Sequence, residues 1–140
     1  MDRIVIGIGN RDRGDDGAGV AVAELITGVT THTVRAGAMD LYELWTESDT
    51  VVVVDAMRSG APPGTVRSFD VSTTPLPGET FSSTHSFGPA AGIEIARALG
   101  RLPAAIEVIG IEAGDLAIGG ELSAEVASAV QSLSEELSHA

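Results

Sequence analysis

The sequence contains no cysteine and no lysine, and each absence excludes a class of site. Without cysteine, the chain has no disulfide, no thiolate metal ligand and no cysteine nucleophile. Without lysine, it cannot form a P-loop, whose lysine contacts the phosphates of a bound nucleotide. The sequence also lacks the G-x-S-x-G turn of serine hydrolases and the H-E-x-x-H helix of zinc proteases. The common hydrolase motifs therefore do not account for its function.

Positive charge is scarce in the chain. Eight arginines stand against twenty acidic residues, which gives a formal net charge of −12. Nucleic acids and anionic membrane surfaces bind basic proteins, so we expect neither as a partner. A cationic partner or a metal ion fits this balance better, although an acidic surface can also serve solubility alone.

The length and the hydropathy pattern are those of one globular domain. The chain has 140 residues, 44% of them hydrophobic, and it shows no repeat, linker or low-complexity segment. We therefore predict a single domain over residues 1–140. The first apolar run is too short for a signal peptide or a membrane span, so we expect a cytoplasmic protein, and we expect it to be a monomer.

The stretch from Ile4 to Gly19 is the most informative part of the sequence. An apolar, β-branched run leads into a glycine-bearing turn, and two adjacent aspartates, Asp15 and Asp16, precede a helix start. A buried strand that ends in a polar loop and feeds a helix is the opening unit of an open α/β sheet. Ligands of such sheets bind beyond the carboxyl ends of the strands, where this turn places its carboxylates.

Two other interpretations of this turn remain open from the local sequence. Gly7 and Gly9 supply the start of a dinucleotide-binding fingerprint, but Asp12 stands where the third glycine belongs. Asp15 and Asp16 can also serve structure alone, by complementing the helix dipole and accepting hydrogen bonds from its first N–H groups. On local sequence alone, this structural interpretation is favoured.

The rest of the chain alternates between predicted strands and helices. The valine run that starts at Thr50 and ends before Asp55 is β-branched throughout, which indicates a central strand covered on both faces. The link at 61–64 is too short for a helical crossover, so the strand after it should be an antiparallel edge strand. After the opening strand, strands are predicted at 31–35, 50–55, 65–69 and 106–112. Helices are predicted at about 15–27, 41–45, 89–100 and 123–137.

Three polar residues from separate parts of the chain are candidate ligands of one metal ion. Asp16 and Asp55 follow strand ends on the same side of the predicted sheet, and His85 lies in a long loop over about 71–87. Two carboxylates and an imidazole suit nickel, zinc, iron or manganese, and three protein ligands leave a position open for substrate. Each also has a simpler explanation, since Asp55 is a common turn starter and His85 a solvated residue.

Seven motifs in chain order give the sequence a resemblance to a known family. They are Gly7-Ile8-Gly9-Asn10 with Gly14-Asp15-Asp16-Gly17-Ala18-Gly19, Val51 to Ala56, Pro63-Gly64-Thr65-Val66, Ser83-Thr84-His85, Leu99-Gly100-Arg101-Leu102-Pro103, Gly110-Ile111-Glu112 and Leu122-Ser123. This series resembles the nickel–iron hydrogenase maturation proteases, which trim the large subunit of a hydrogenase. The resemblance runs nearly end to end.

The resemblance implies a fold and a set of site residues. The expected fold is α/β, a three-layer α/β/α sandwich of the phosphorylase/hydrolase-like type on a five-stranded mixed sheet with one antiparallel edge strand. The catalytic, metal-contacting residues of the family fall on Asp16, Asp55 and His85. The choice of hydrogenase is associated with Gly37 and Ala38, where relatives often have a Gly-Thr pair.

The resemblance also implies the reaction. The expected partner is a hydrogenase large-subunit precursor that already holds nickel, and the expected cofactor is this nickel, supplied by the precursor. Cleavage then releases the C-terminal extension of the precursor. Nickel can polarise the scissile carbonyl or activate water, or it can be a docking point while an acid acts as base. The alternatives are a module that senses nickel without cleaving, a protease of the same fold with an unrelated substrate, and a nucleotide binder.

Overall fold

The computed structural model describes residues 3–35, 41–46, 49–75, 89–114, 116 and 119–139. Within these residues the chain forms five strands, three α-helices and two short 3₁₀ turns. The strands are β1 (Arg3–Ile8), β2 (Thr30–Val34), β3 (Thr50–Met57), β4 (Val66–Asp70) and β5 (Ala105–Glu112). The helices are α1 (Ala18–Leu25), α2 (Pro89–Ala98) and α3 (Ala124–Leu137), and the 3₁₀ turns are Gly14–Gly17 and Leu41–Leu44.

The five strands form one mixed sheet in the order β2-β1-β3-β5-β4. All neighbouring pairs are parallel except β4 and β5, which are antiparallel. The edge position and the direction of β4 confirm the expectation from the short link at 61–64, which leaves no room for a crossover helix. Within the described part of the chain, the predicted five-stranded mixed sheet is therefore correct.

Helices cover both faces of the sheet, and β3 shows why. Its side chains alternate between two apolar clusters, with Val51 and Val53 in one and Val52 and Val54 in the other. The first cluster includes residues of α2 and of the turn Leu41–Leu44, and the second includes residues of α1 and α3. The valine run is thus buried on both sides, and the fold is the predicted three-layer α/β/α sandwich.

Glycine allows α1 to start very close to the sheet. A Cβ atom on Gly19 would lie 2.2 Å from the carbonyl oxygen of Val54 and 2.6 Å from that of Ile8. Any side chain at this position would force the helix away from the ends of β1 and β3. This contact fixes the turn before α1 directly above the carboxyl ends of the two central strands.

Two differences between the predicted and the observed boundaries affect the site. The helix predicted from about residue 15 begins at Ala18, because residues 14–17 form a 3₁₀ turn instead. The strand predicted to end at Asp55 continues to Met57, because its parallel pairing with β5 extends to Met57 and Glu112. Asp55 is therefore a strand residue and does not start a turn. No helix in the described part of the chain is long and apolar enough to cross a membrane.

Candidate functional site

The topology of the sheet defines a crevice between β1 and β3. The chain passes from β1 to β2 on one side of β1, and then returns to β3 on the other side. At such a switch point the connections leave the two central strands in opposite directions and open a crevice at their carboxyl ends, where ligands of open α/β sheets bind. The turn after β1 carries Asp16, and β3 carries Asp55 near its carboxyl end.

Asp16 lies in the 3₁₀ turn Gly14–Gly17 with 6% of its surface exposed. The backbone N–H of Asn10 donates to its Oδ2 at 3.1 Å and to its carbonyl oxygen at 3.3 Å. A Cβ atom on Gly9 would lie 2.1 Å from that carbonyl oxygen, so only glycine allows the two segments to approach. The Asp16 carboxylate is therefore held by a rigid backbone on the inner side of the turn.

Asp55 is 3% exposed, and the N–H of Ala56 donates to its Oδ1 at 2.8 Å. Burial raises the pKa of Asp55 well above its ordinary value, the charge of Asp16 raises it further, and the hydrogen bond from Ala56 opposes both effects. The two carboxylates therefore lie close enough to repel each other in a site shielded from water. A bound cation would remove this repulsion, because opposite charge favours the ionised form of both groups.

The structure brings two of the three predicted site residues together. Asp16 and Asp55 meet at the crevice, whereas His85 lies outside the described residues, as do Gly37 and Ala38. Within the described residues, no group of three histidine, aspartate or glutamate side chains is arranged to hold a metal ion. A metal-contacting role for Asp16, Asp55 and His85 and a selective role for Gly37 and Ala38 stay predictions.

The buried repulsion leads to a prediction about stability. We expect Asp55→Asn to raise Tm at pH 7, because asparagine keeps the Oδ1 acceptor for Ala56 but carries no charge. Relief of about 1 kcal/mol corresponds to about 3 °C for a chain of this size. Thermal unfolding followed by circular dichroism measures the shift, and a lower Tm for the variant at pH 7 would contradict it.

The same variant should show a defined pH dependence. The pKa of Asp55 is higher in the folded state than its ordinary value of 3.8. The wild type is therefore fully stable only while Asp55 is protonated, and it loses stability as pH rises from about 4 through the raised pKa. The Tm advantage of Asp55→Asn should be small near pH 4 and grow towards pH 7.

Asp15 has a different partner from the one that the sequence predicts. It does not cap its own helix, since no side-chain cap bond is present at the turn or at α1. Its fully buried carboxylate instead accepts hydrogen bonds from the N–H of Gly114 at 2.7 Å and from the N–H and Oγ of Ser123 at 2.7 and 2.8 Å. Ser123 stands at the N-cap position of α3, but its hydroxyl donates to Asp15 and makes no side-chain cap bond.

Glu112 is a further buried acid at this edge, and the sequence does not predict its role there. It is 3% exposed at the carboxyl end of β5, and its carboxylate accepts hydrogen bonds from the N–H and Oγ of Ser59. Two sequence signals point to it, namely the motif Gly110-Ile111-Glu112 and the position of an acid at the end of an apolar strand, which also applies to Asp55. Glu112 fastens the segment that follows β3.

A cleft of about 290 Å³ opens beside the turn that carries Asp16. It is lined by Gly9, Asn10, Arg11 and Asp12 after β1, and by Val20, Thr33, Val34 and Arg35. Since Asn10 also donates to Asp16, the cleft and the carboxylate pair are neighbouring parts of one edge of the sheet. The cleft lies on the β2 side of the turn, and neither Asp16 nor Asp55 lines it.

The chain is similar to known proteins both in sequence and in structure. A family model described as hydrogenase maturation protease matches residues 35–140. The structure of the maturation protease HybD from Thermococcus kodakarensis superposes with a TM-score of 0.79 at 28% identity, covering 97% of this chain and 96% of that chain. HycI from Thermococcus kodakarensis KOD1 gives 0.76 at 27% identity, covering 97% and 89%.

A third structure supports the fold alone. The maturating endopeptidase HybD from E. coli superposes with a TM-score of 0.80 at 22% identity, covering 98% of this chain and 90% of that chain. A search by sequence among curated proteins gave no significant match.

Proposed function

Because this chain belongs to the hydrogenase maturation protease family, and is thus a peptidase of hydrogenase maturation, we propose that it removes the C-terminal extension of a nickel-loaded hydrogenase large-subunit precursor. In this proposal, the nickel is part of the substrate. Asp16, Asp55 and His85 contact it and thereby bring the scissile peptide bond to the crevice between β1 and β3.

The observation that carries this proposal is the pair of buried carboxylates at the crevice. Among the described residues, neither Asp16 nor Asp55 forms an ion pair, and one oxygen of each carboxylate has no hydrogen-bond donor. Two like charges held this way favour a cation that arrives with free coordination positions. Carboxylate oxygens with one imidazole form a suitable but modest nickel site, which fits a metal that the substrate already holds.

The position of α2 supports His85 as the third contact. The helix begins at Pro89, four residues after His85 in the sequence. Ile93 of α2 lies in the same apolar cluster as Val53 and Met57 of β3. Because side chains two apart in a strand share a face, Asp55 belongs to the face of the sheet that α2 covers.

The cleft beside Asp16 supports a peptide substrate. Its volume of about 290 Å³ suits a few residues of an extended chain, and it opens at the same edge as the carboxylate pair. Two roles for nickel fit this arrangement. It can polarise the scissile carbonyl or activate water, or it can dock the precursor while an acid of the site acts as base.

The proposal is tested by mixing the protein with a purified large-subunit precursor, with and without nickel, and measuring intact masses. We expect the nickel-loaded precursor to lose the mass of its C-terminal extension and the nickel-free precursor to stay unchanged. A stable complex of unchanged mass would instead favour a nickel-sensing module. If the precursor is neither cleaved nor bound, the result favours a protease with an unrelated substrate.

A further inference from the structure

The connection between β5 and α3 is fastened to the turn that carries Asp16. Two ties are present among the described residues. The Asp15 carboxylate accepts the three hydrogen bonds from Gly114 and Ser123, at 2.7 to 2.8 Å. The N–H of Gly119 donates to the carbonyl oxygen of Asp12 at 2.6 Å. We call residues 113–114 and 119–123 the brace.

The tie at Asp15 requires a carboxylate. All three described donors converge on its two oxygens, and an ionised carboxylate is the side chain that only accepts hydrogen bonds. Hydrogen bonds to an ionised acceptor are about twice as strong as neutral ones. Asp15 is fully buried, so water cannot replace a lost partner. An asparagine would turn an NH₂ group towards at least one of these donors.

The adjacent aspartates have separate partners. Asp15 bonds to the brace, whereas Asp16 is bonded by the N–H of Asn10 at the crevice. Both lie in one four-residue 3₁₀ turn, so a displacement at Asp15 moves the backbone that carries Asp16. On its other side the turn leads into α1, which packs closely against the sheet because Gly19 has no side chain. The brace therefore holds the turn Gly14–Gly17 through contacts that do not belong to the strands of the sheet.

We propose that Asp15 is a positioning residue for the cleavage reaction, which holds the Asp16 carboxylate at the crevice by binding Gly114 and Ser123 of the brace. This inference rests on the proposed role of Asp16. It assigns Asp15 no contact with the substrate. Groups that orient a metal-contacting side chain typically affect activity by about 10- to 100-fold when they are replaced, and a displacement of about 1 Å in a reacting group can cost about 100-fold.

Three variants test the proposal. Asp15→Asn keeps the size of the side chain but loses an acceptor, and Ser123→Ala removes only the hydroxyl donor to Asp15. Asp49→Asn is the matched control, because Asp49 is also a buried aspartate, 8% exposed, that accepts a backbone N–H at 2.7 Å, but at the amino end of β3. Each variant is assayed for Tm, for kcat/KM on nickel-loaded precursor, and for amide hydrogen exchange at Asn10.

We expect Asp15→Asn to lower kcat/KM by about 10- to 100-fold and Ser123→Ala by about five-fold, the effect of one hydrogen bond. Exchange at the Asn10 amide, which bonds to Asp16, should become faster in both variants. Asp49→Asn should lower Tm but leave cleavage and exchange at Asn10 within about two-fold, since it is remote from the crevice.

Cleavage by Asp15→Asn within two-fold of the wild type would overturn the inference, as would an unchanged exchange rate at Asn10. If Asp15→Asn does not fold, Ser123→Ala decides the matter, and normal cleavage by that variant overturns the inference. Failure of the wild type to cleave the precursor is a different result, because it overturns the proposed function itself.

Discussion

Replacement of Asp16 by asparagine, or of His85 by alanine, should abolish cleavage of the nickel-loaded precursor. We expect kcat/KM to fall by at least about 1,000-fold, within the range for loss of a group that acts directly on the reacting centre. Asparagine keeps the acceptor for the Asn10 N–H but loses the charge that faces the cation. The Tm of Asp16→Asn should not fall, because the variant also removes the repulsion with Asp55. Cleavage rates and thermal unfolding measure the two effects.

Each of these variants has a matched control in the chain. Asp70 is an exposed aspartate of β4 that pairs with Glu107, towards the other end of the sheet from the crevice, and His32 lies on β2. Asp70→Asn and His32→Ala should cleave at rates within about two-fold of the wild type, because surface changes away from packed features have small effects. Full activity in Asp16→Asn would mean that the carboxylate pair has no part in the reaction. Loss of folding in His85→Ala would make His85 a structural residue.

Metal removal should leave the enzyme active if the metal comes with the substrate. We expect purified protein to contain little metal, and protein treated with chelator and then desalted to cleave nickel-loaded precursor at the rate of untreated protein. The physical reason is that two carboxylates and one imidazole, without a thiolate, bind a borderline ion such as nickel only modestly. Metal analysis and an intact-mass cleavage assay provide the measurements.

A catalytic metal that resides in the enzyme would give a different result in the same assay. A resident catalytic metal would be lost on chelation, and added zinc would then restore cleavage of nickel-free precursor. That result would make the protein an ordinary metalloprotease and would contradict the proposed role of substrate-borne nickel. The control is untreated protein on nickel-free precursor, which should show no cleavage.

The sheet and one side of the site are predictable from sequence because their signals are local. Consecutive β-branched residues from Val51 to Val54 require burial on both faces, and they lie in the central strand. The short link at 61–64 predicts the antiparallel edge strand β4, which is confirmed. Since parallel strands present their carboxyl ends at one edge, Asp16 and Asp55 are also predicted to be neighbours.

The partner of Asp15 is not predictable from sequence. It is separated from Ser123 by 108 positions and from Gly114 by 99, and no periodicity links them. Both residues have a plausible local role, Asp15 at the start of α1 and Ser123 at the start of α3, and local patterns favour those roles. Tertiary contact overrides both preferences, because a buried carboxylate must find donors wherever the fold supplies them.

The order of the strands has a consequence for biosynthesis. In the described part of the chain, β4 pairs with β5 alone, and β5 lies between β3 and β4 although it is the last strand to be synthesised. Among the described residues, a nascent chain that ends before residue 105 therefore lacks the strand that pairs with β4, and it lacks Gly114 and Ser123, which donate to Asp15. The sheet is complete only when residues 105–112 have left the ribosome. We therefore expect the turn that carries Asp16 to reach its final position only after β5 and the start of α3 have been synthesised.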